Sequence, residues 1–426
     1  MKNIKRFLCV LLAFMIMPLL YVHGLETENA YEVEIKAVLL TYEQALEMAI
    51  NNMLVIQDMD TQIREMYLEL RYMVLDLEAR LFDSRPRIVL TDEAITTYTR
   101  RLRNRMLEHD RNSGLSADSH IRRSNREILH NLNEFERDIE RLRLNRQQAG
   151  FEVEQMLRDA IVNVSDIDLR IDVLREELSF AEENLHRIIL FHELGFISIQ
   201  ELRDADHDLA QGYTRLDELI RNRYVARQRL NYLLGQPLFQ YTVVTFEREL
   251  TDFSQSVAQL IDNVIYDSPP IHQSQLELDT ALGERWIYTG NNNDIRISES
   301  ERRRARTSVY SGPDITKIRN RISLQDTVER AVLGHEQAIR TMEVAFYRGL
   351  TEMEGLLALE LAHRQDLAQA QASLDIVHIN FDLGHATRLD MAEARLVIFQ
   401  VEQSIEGILN RMWALSFMLD NPSLLG

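Results

Sequence analysis

The longest ordered pattern in the chain is a stripe of apolar residues. From Phe151 to Leu194 there is neither Pro nor Gly. Within that run Ile167, Ile171, Leu174, Leu178, Ala181, Leu185 and Ile188 alternate steps of four and three. This spacing keeps one face of an α-helix apolar and predicts a coiled-coil seam. Gly195 then stands where a helix C-terminal cap would, and Ser198 offers the N-cap of a following helix. Beyond it Leu202, Ala205, Leu209, Gly212, Leu216 and Leu219 resume the same spacing. The stretch Phe191 to Ala205 therefore predicts the tip of a long antiparallel helical hairpin.

The pattern occurs twice. Leu194-Gly195 matches Leu383-Gly384, and Glu201, Asp204 and Ala205 match Asp390, Glu393 and Ala394, each 189 residues later. Leu40-Thr41 opens a first helix, with Thr41 and Gln44 spaced as a capping box, a break near Asn51-Asn52 and an end at about Arg80. Leu250-Thr251 echoes that opening, and Ile271-His272-Gln273 echoes Val55-Ile56-Gln57 at an offset of 216. Tyr232 to Pro237 matches Phe417 to Pro422 at an offset of 185. The chain reads as a tandem duplication, 40–237 and 250–422, with the tips at Gly195 and Gly384. The first hairpin is expected from about Leu132 to Leu234 and the second from about Leu324 to Leu419. An Arg-rich insertion interrupts each unit. Residues 87–130 hold Arg100, Arg101, Arg103, Arg105, Arg111, Arg122, Arg123 and Arg126. Residues 290–313, with Arg302, Arg303 and Arg304, read as a loop. A helical arm of some 44 residues spans about 66 Å. Two such helices cannot enclose a core, so each hairpin is expected to pack on the other and on neighbouring subunits.

Composition agrees with long amphipathic helices. Apolar residues make up 45% and charged residues 27% of the 426, with only 7 Pro and 15 Gly. The expected fold class is all-α, or α with minor β. Residues 1–24 read as an export signal: Lys2, Lys5 and Arg6 precede the apolar run Phe7–Tyr21. The only cysteine, Cys9, lies in that run, so no disulfide or thiolate chemistry is expected beyond it. Removing the signal takes three positive charges from a net charge of −19, leaving −22. Such acidity disfavours nucleic acid as a partner. No other stretch is apolar for long enough to span a membrane as a helix.

The duplicated helix, insertion and hairpin, with a Leu-Gly tip, an acidic pair after it and a Leu-Leu-Gly-Gln-Pro ending, resembles the outer-membrane efflux (TolC) family. Leu40-Thr41-Tyr42-Glu43-Gln44-Ala45-Leu46 is similar to that family's opening helix. The resemblance implies a trimer whose hairpins form an α-helical tunnel, a passive conduit for efflux or type I secretion. It implies docking on a periplasmic adaptor bound to an inner-membrane transporter. By position it makes Glu201, Asp204, Asp390 and Glu393 the constriction acids. It places adaptor docking at Leu194, Gly195, Ser198, Leu383, Gly384, Thr387 and Arg388. The family's insertions supply strands of a shared barrel; neither insertion here alternates as such strands do, so a tunnel without barrel strands is expected.

The tip acids also admit a plain reading as solvated charges complementing helix N-termini. The arginine-rich insertions read either as solvated faces or as contacts for an anionic envelope polymer or lipid. Asp204-Ala205-Asp206-His207-Asp208 spreads around a helix rather than gathering as metal ligands. No catalytic motif and no cofactor motif is present, so an enzyme is not expected. Two other readings were weighed: an envelope coiled-coil protein with no conduit, and a periplasmic adaptor, whose flanking lipoyl-like segments are not visible.

Overall fold

The computed structural model describes residues 38–82, 91–112, 119–238, 240–248, 264–289, 297–307 and 313–425. The export signal and Leu250-Thr251 lie outside the described residues. Strand β1 (Val38–Thr41) leads into α1 (Tyr42–Asn52), α2 (Leu54–Phe82) and α3 (Asp92–Asn112). The first hairpin is α4 (Ser119–Glu193) and α5 (Ile199–Leu233). After β2 (Thr242–Thr245) come α6 (Pro269–Thr289) and α7 (Glu299–Thr307). The second hairpin is α8 (Pro313–Asp382) and α9 (Arg388–Asp420), and a 3-10 turn, Pro422–Leu424, follows.

Local chemistry sets these boundaries. The Thr41 hydroxyl accepts from the Gln44 N–H while the Gln44 amide oxygen accepts from the Thr41 N–H, a complete capping box. The break between α1 and α2 falls at Met53, next to Asn51-Asn52. Asn231, only 1% exposed, donates from its amide to the carbonyls of Pro237, Leu238 and Gln240 and folds the chain back after α5.

Both Arg-rich insertions are more helical than their composition suggested. Residues 299–307, read as part of a loop, form α7. Ser298 caps it through Glu301, and Ala305 is buried beneath it. The long arms also start earlier than expected, at Ser119 rather than near Leu132 and at Pro313 rather than near Leu324. Arginine is a good helix former, and Pro is tolerated in a first turn, so charge does not end these helices. Leu129, Leu132 and Ile139 of α4 then pack with Tyr67, Leu70 and Val74 of α2 and with Ile95, Leu102 and Met106 of α3. That cluster makes a helical cap at the end of the molecule away from the hairpin tips.

α4, at 75 residues, is about 110 Å long, and α8, at 70 residues, about 105 Å. In the hairpin half α5 packs on α4, α4 on α9, and α9 on α8, so the helices lie side by side in the order α5, α4, α9, α8. Two further clusters sit between the cap and this palisade. One joins α1 to α4 and α5 through Ala45, Ala49, Val153, Leu157 and Leu230. The other joins α6 to α8 and α9 through Ile271, Phe346, Met353, Met412 and Leu419. β1 and β2 pair in parallel, Val38 opposite Thr242 and Thr41 opposite Thr245. They are the minor β of the expected class, and neither was picked out by an alternating pattern in the sequence.

Candidate tunnel wall and hairpin tips

The two tips have the same construction. Gly195 (φ 78°) and Gly384 (φ 74°) occupy the left-handed region, which only glycine enters without strain. The Phe196 N–H reaches back to the Phe191 carbonyl at 2.9 Å, and the His385 N–H to the Asn380 carbonyl at 2.7 Å. These contacts close Schellman caps on α4 and α8. The next helix then starts on a capping box in each case. The Glu201 carboxylate accepts from the Ser198 N–H and hydroxyl, and the Asp390 carboxylate from the Thr387 N–H and hydroxyl.

Two of the four sequence-selected acids therefore hold helix starts. Thr387 keeps the Asp390 carboxyl below the usual carboxylate range, mainly through its backbone N–H and hydroxyl, with a smaller contribution from Arg187 of α4. Asp204 accepts from the Gln200 amide at 2.8 Å, and Glu393 is exposed. Leu194, Gly195, Ser198, Leu383, Gly384, Thr387 and Arg388 are all exposed. Phe196 is 77% exposed and stands edge-on to Phe191, with ring centroids 6.4 Å apart. His207 meets Gln211, and among the described residues no three potential metal ligands gather.

Behind the tips the hairpins are knitted along their lengths. All seven seam residues of α4, Ile167 through Ile188, are buried or half-buried, and Ile171 and Leu178 are the most enclosed. Leu178 lies against Gly212 of α5; a Cβ there would come within 2.5 Å of the Leu178 Cδ2. Across the hairpins Gln400 donates to Glu177 at 2.9 Å, and Asn410, fully buried, donates to Ser165 at 3.1 Å. An open groove of about 830 Å³ runs between the hairpins, with Leu174 and Leu219 on one side and Leu359 and Ile408 on the other.

The residues that sequence reasoning missed surround Arg158. Its guanidinium lies 4.9 Å from the Tyr42 ring centroid and 4.4 Å from those of Trp413 and Phe417. It pairs with Glu154 at 3.0 Å, and Tyr42 donates to the same carboxylate at 2.7 Å. Burial pushes the Tyr42 phenol strongly upward, and Glu154 adds to that, so it remains a donor. This cluster locks α1, α4 and α9 together. Its members are far apart in sequence, and no spacing announces them.

A membrane protein from Pseudomonas aeruginosa superposes over 90% of this chain and 93% of its own, with a TM-score of 0.56 and 13% identity. CusC, known from crystal structures concerned with transmembrane channel formation, superposes over 91% of this chain and 92% of its own, with a TM-score of 0.57 and 12% identity. The outer-membrane channel OprN superposes over 89% of both chains at a TM-score of 0.50 and 14% identity. No family model matches the sequence, and neither does any curated protein. The chain has the TolC-type fold. This TolC-type chain carries helices α3 and α7 in its insertions. Among the described residues its strands are four residues long, against about 9–11 for a strand that spans a bilayer. Among the same residues no helix is long and apolar enough to cross a membrane.

Proposed function

We propose that three copies of this chain close into a hollow ring that serves as a passive conduit in an efflux or secretion system. The observation that carries this reading is the pair of apolar edges on the palisade. α5 exposes Tyr213, Tyr224 and Val225, and α8 exposes Val344, Tyr347 and Leu361. These rows lie on the two outer helices, which a single copy leaves facing solvent. Setting the α5 edge of one copy on the α8 edge of the next is a head-to-tail contact, and such contacts generate rings when the rotation closes. Three is the number implied by the resemblance to TolC.

In this reading the tips face an adaptor protein bound to an inner-membrane transporter, which supplies the energy. Leu194, Gly195, Ser198, Leu383, Gly384, Thr387 and Arg388 make the docking surface, and Glu201, Asp204, Asp390 and Glu393 edge the narrow mouth. The conduit itself performs no covalent chemistry. Electron microscopy of the purified exported chain tests the reading. A hollow three-fold ring is the expected result. A solid dimer or a monomeric rod would instead favour an envelope spacer without a lumen.

A further inference from the structure

The cap continues the palisade. There α2 packs on α4, α4 on α6 and α6 on α8, so α2 and α8 are its outer helices. Asn52 donates to the carbonyls of Tyr232 and Leu233, so α2 carries on where α5 ends, while α8 is unbroken over 70 residues. One edge of the molecule is therefore α5 and then α2, and the other is α8 throughout. On α2, away from the buried Tyr67, Leu70 and Val74, the exposed Leu54, Asp58, Glu65, Glu69 and Tyr72 step by four, seven, four and three. On α8, away from the buried Phe346 and Met353, the exposed Arg330, Leu333, Gln337, Arg340, Val344 and Tyr347 alternate steps of three and four. Such steps hold each row on one helix face. The α2 row carries acids and no base, and the α8 row arginines and no acid.

The two rows are level. Asp60 of α2 pairs with Arg146 of α4. The side chains of Asn145 in α4 and Gln273 in α6 hydrogen-bond, and Ser274 of α6 meets His335 of α8 at 2.8 Å. Asp60 and His335 thus mark one height, from which α2 runs capward as its numbering rises and α8 as its numbering falls. At about 1.5 Å per residue, Glu65 and Arg330 both lie about 8 Å capward. Asp58 and Arg340 lie about 3 and 8 Å tipward, and Leu54 and Val344 about 9 and 14 Å tipward. A rotation about a ring axis changes no height, so neighbouring copies in a ring bring these rows face to face. From this we infer that α8 of one copy runs along α5 and then α2 of the next, closing the helical wall around the cap as well as the tunnel. Opposite charges at matched heights on the two edges of one chain fit a second copy; an unrelated partner on either edge needs no such match. The cap seam is ionic where the tunnel seam is apolar, so added salt loosens the cap first. This inference rests on the ring reading and supplies the surface that closes its cap half.

The test is crosslinking of the full exported chain carrying E65C/R330C with a short bis-maleimide. Within one copy these positions stand three helix spacings apart, about 25–30 Å, beyond the reach of the reagent. A covalent trimer on a denaturing gel is the expected product. Charge reversal gives a second readout. D58R/E69R and R330E/R340E should each raise the protein concentration needed for assembly roughly tenfold, and the two sets combined in one chain should restore it. Circular dichroism melts of each variant confirm folding; if the α2 variant does not fold, R330E/R340E and the crosslink carry the test. A hollow ring in electron microscopy that yields no covalent trimer would overturn the cap seam and leave the conduit reading standing. A monomeric rod that yields none would overturn both. Combined reversals that fail to restore assembly would overturn the pairing of these rows.

Discussion

At the scale of single residues, the tips show why a charge selected from sequence can have two jobs. Glu201 and Asp390 satisfy backbone donors that would otherwise be orphaned at a helix start. Ser198→Ala and Thr387→Ala each remove one side of a capping box, at about 1 kcal/mol. Hydrogen exchange should show faster opening in the first turns of α5 and α9, with the global melt little changed. The Asp390 carboxyl titrates below its ordinary value of 3.8 in the folded chain. Its contribution is therefore complete above that value and is lost as the pH falls through the depressed one. Exchange in the first turn of α9 should accelerate only at pH values below about 4; acceleration already at neutral pH would mean the carboxylate does not hold the cap. Gly384→Ala places a Cβ in the left-handed region and should cost about 1–2 kcal/mol, again read as local opening.

At the scale of elements, the hairpins stand because two long helices share one seam, and the two hairpins stay joined because α4 and α9 are pinned at several heights. Leu178→Asp puts a carboxylate into the contact with Gly212 that Leu178 now fills. A buried unpaired charge costs several kcal/mol. Loss of helical circular dichroism, or loss of assembly, is the expected outcome; a melt like that of the parent would show that the register is wrong. Arg158→Met keeps the aliphatic volume but removes the cation over three rings and leaves the Glu154 carboxylate with the Tyr42 hydrogen bond alone. The site is only partly screened, so about 2 kcal/mol is expected, read as a lowered midpoint in urea. Trp413→Ala at the same cluster should cost about 3–5 kcal/mol.

At the scale of the whole molecule, the four tip acids gather only if copies assemble. In a ring of three they would number 4 × 3 = 12, and like charges so crowded attract cations. Replacing all four by their amides keeps an acceptor oxygen at each cap and gives up only the charge-assisted part of the two boxes. The variant should fold and assemble, yet bind fewer multivalent cations in isothermal titration calorimetry. Unchanged cation binding by an intact ring would remove these residues from the mouth. Tyr224→Asp and Tyr347→Asp address the edges instead. Each should abolish the ring in sedimentation while leaving the helical content of the single chain as it was.

The 3/4 spacing of Ile167 through Ile188, the Gly195 and Gly384 stops, the capping pair Thr41/Gln44 and the Ser198 N-cap were legible in the chain alone. Each is a local rule: a periodicity, a backbone angle or a hydrogen bond within three residues. The extent of α4 and α8 into the arginine-rich stretches was less legible, because polar helices lack a strong apolar stripe. Their few buried residues, such as Leu129 and Ala305, gain meaning only against partners from α2, α3 and α8. Two features were decided by tertiary structure: the parallel pairing of β1 with β2 and the ring stack on Arg158. Each joins residues well over a hundred positions apart. Which partner such a side chain meets depends on how whole helices cross, and no short-range spacing encodes that crossing.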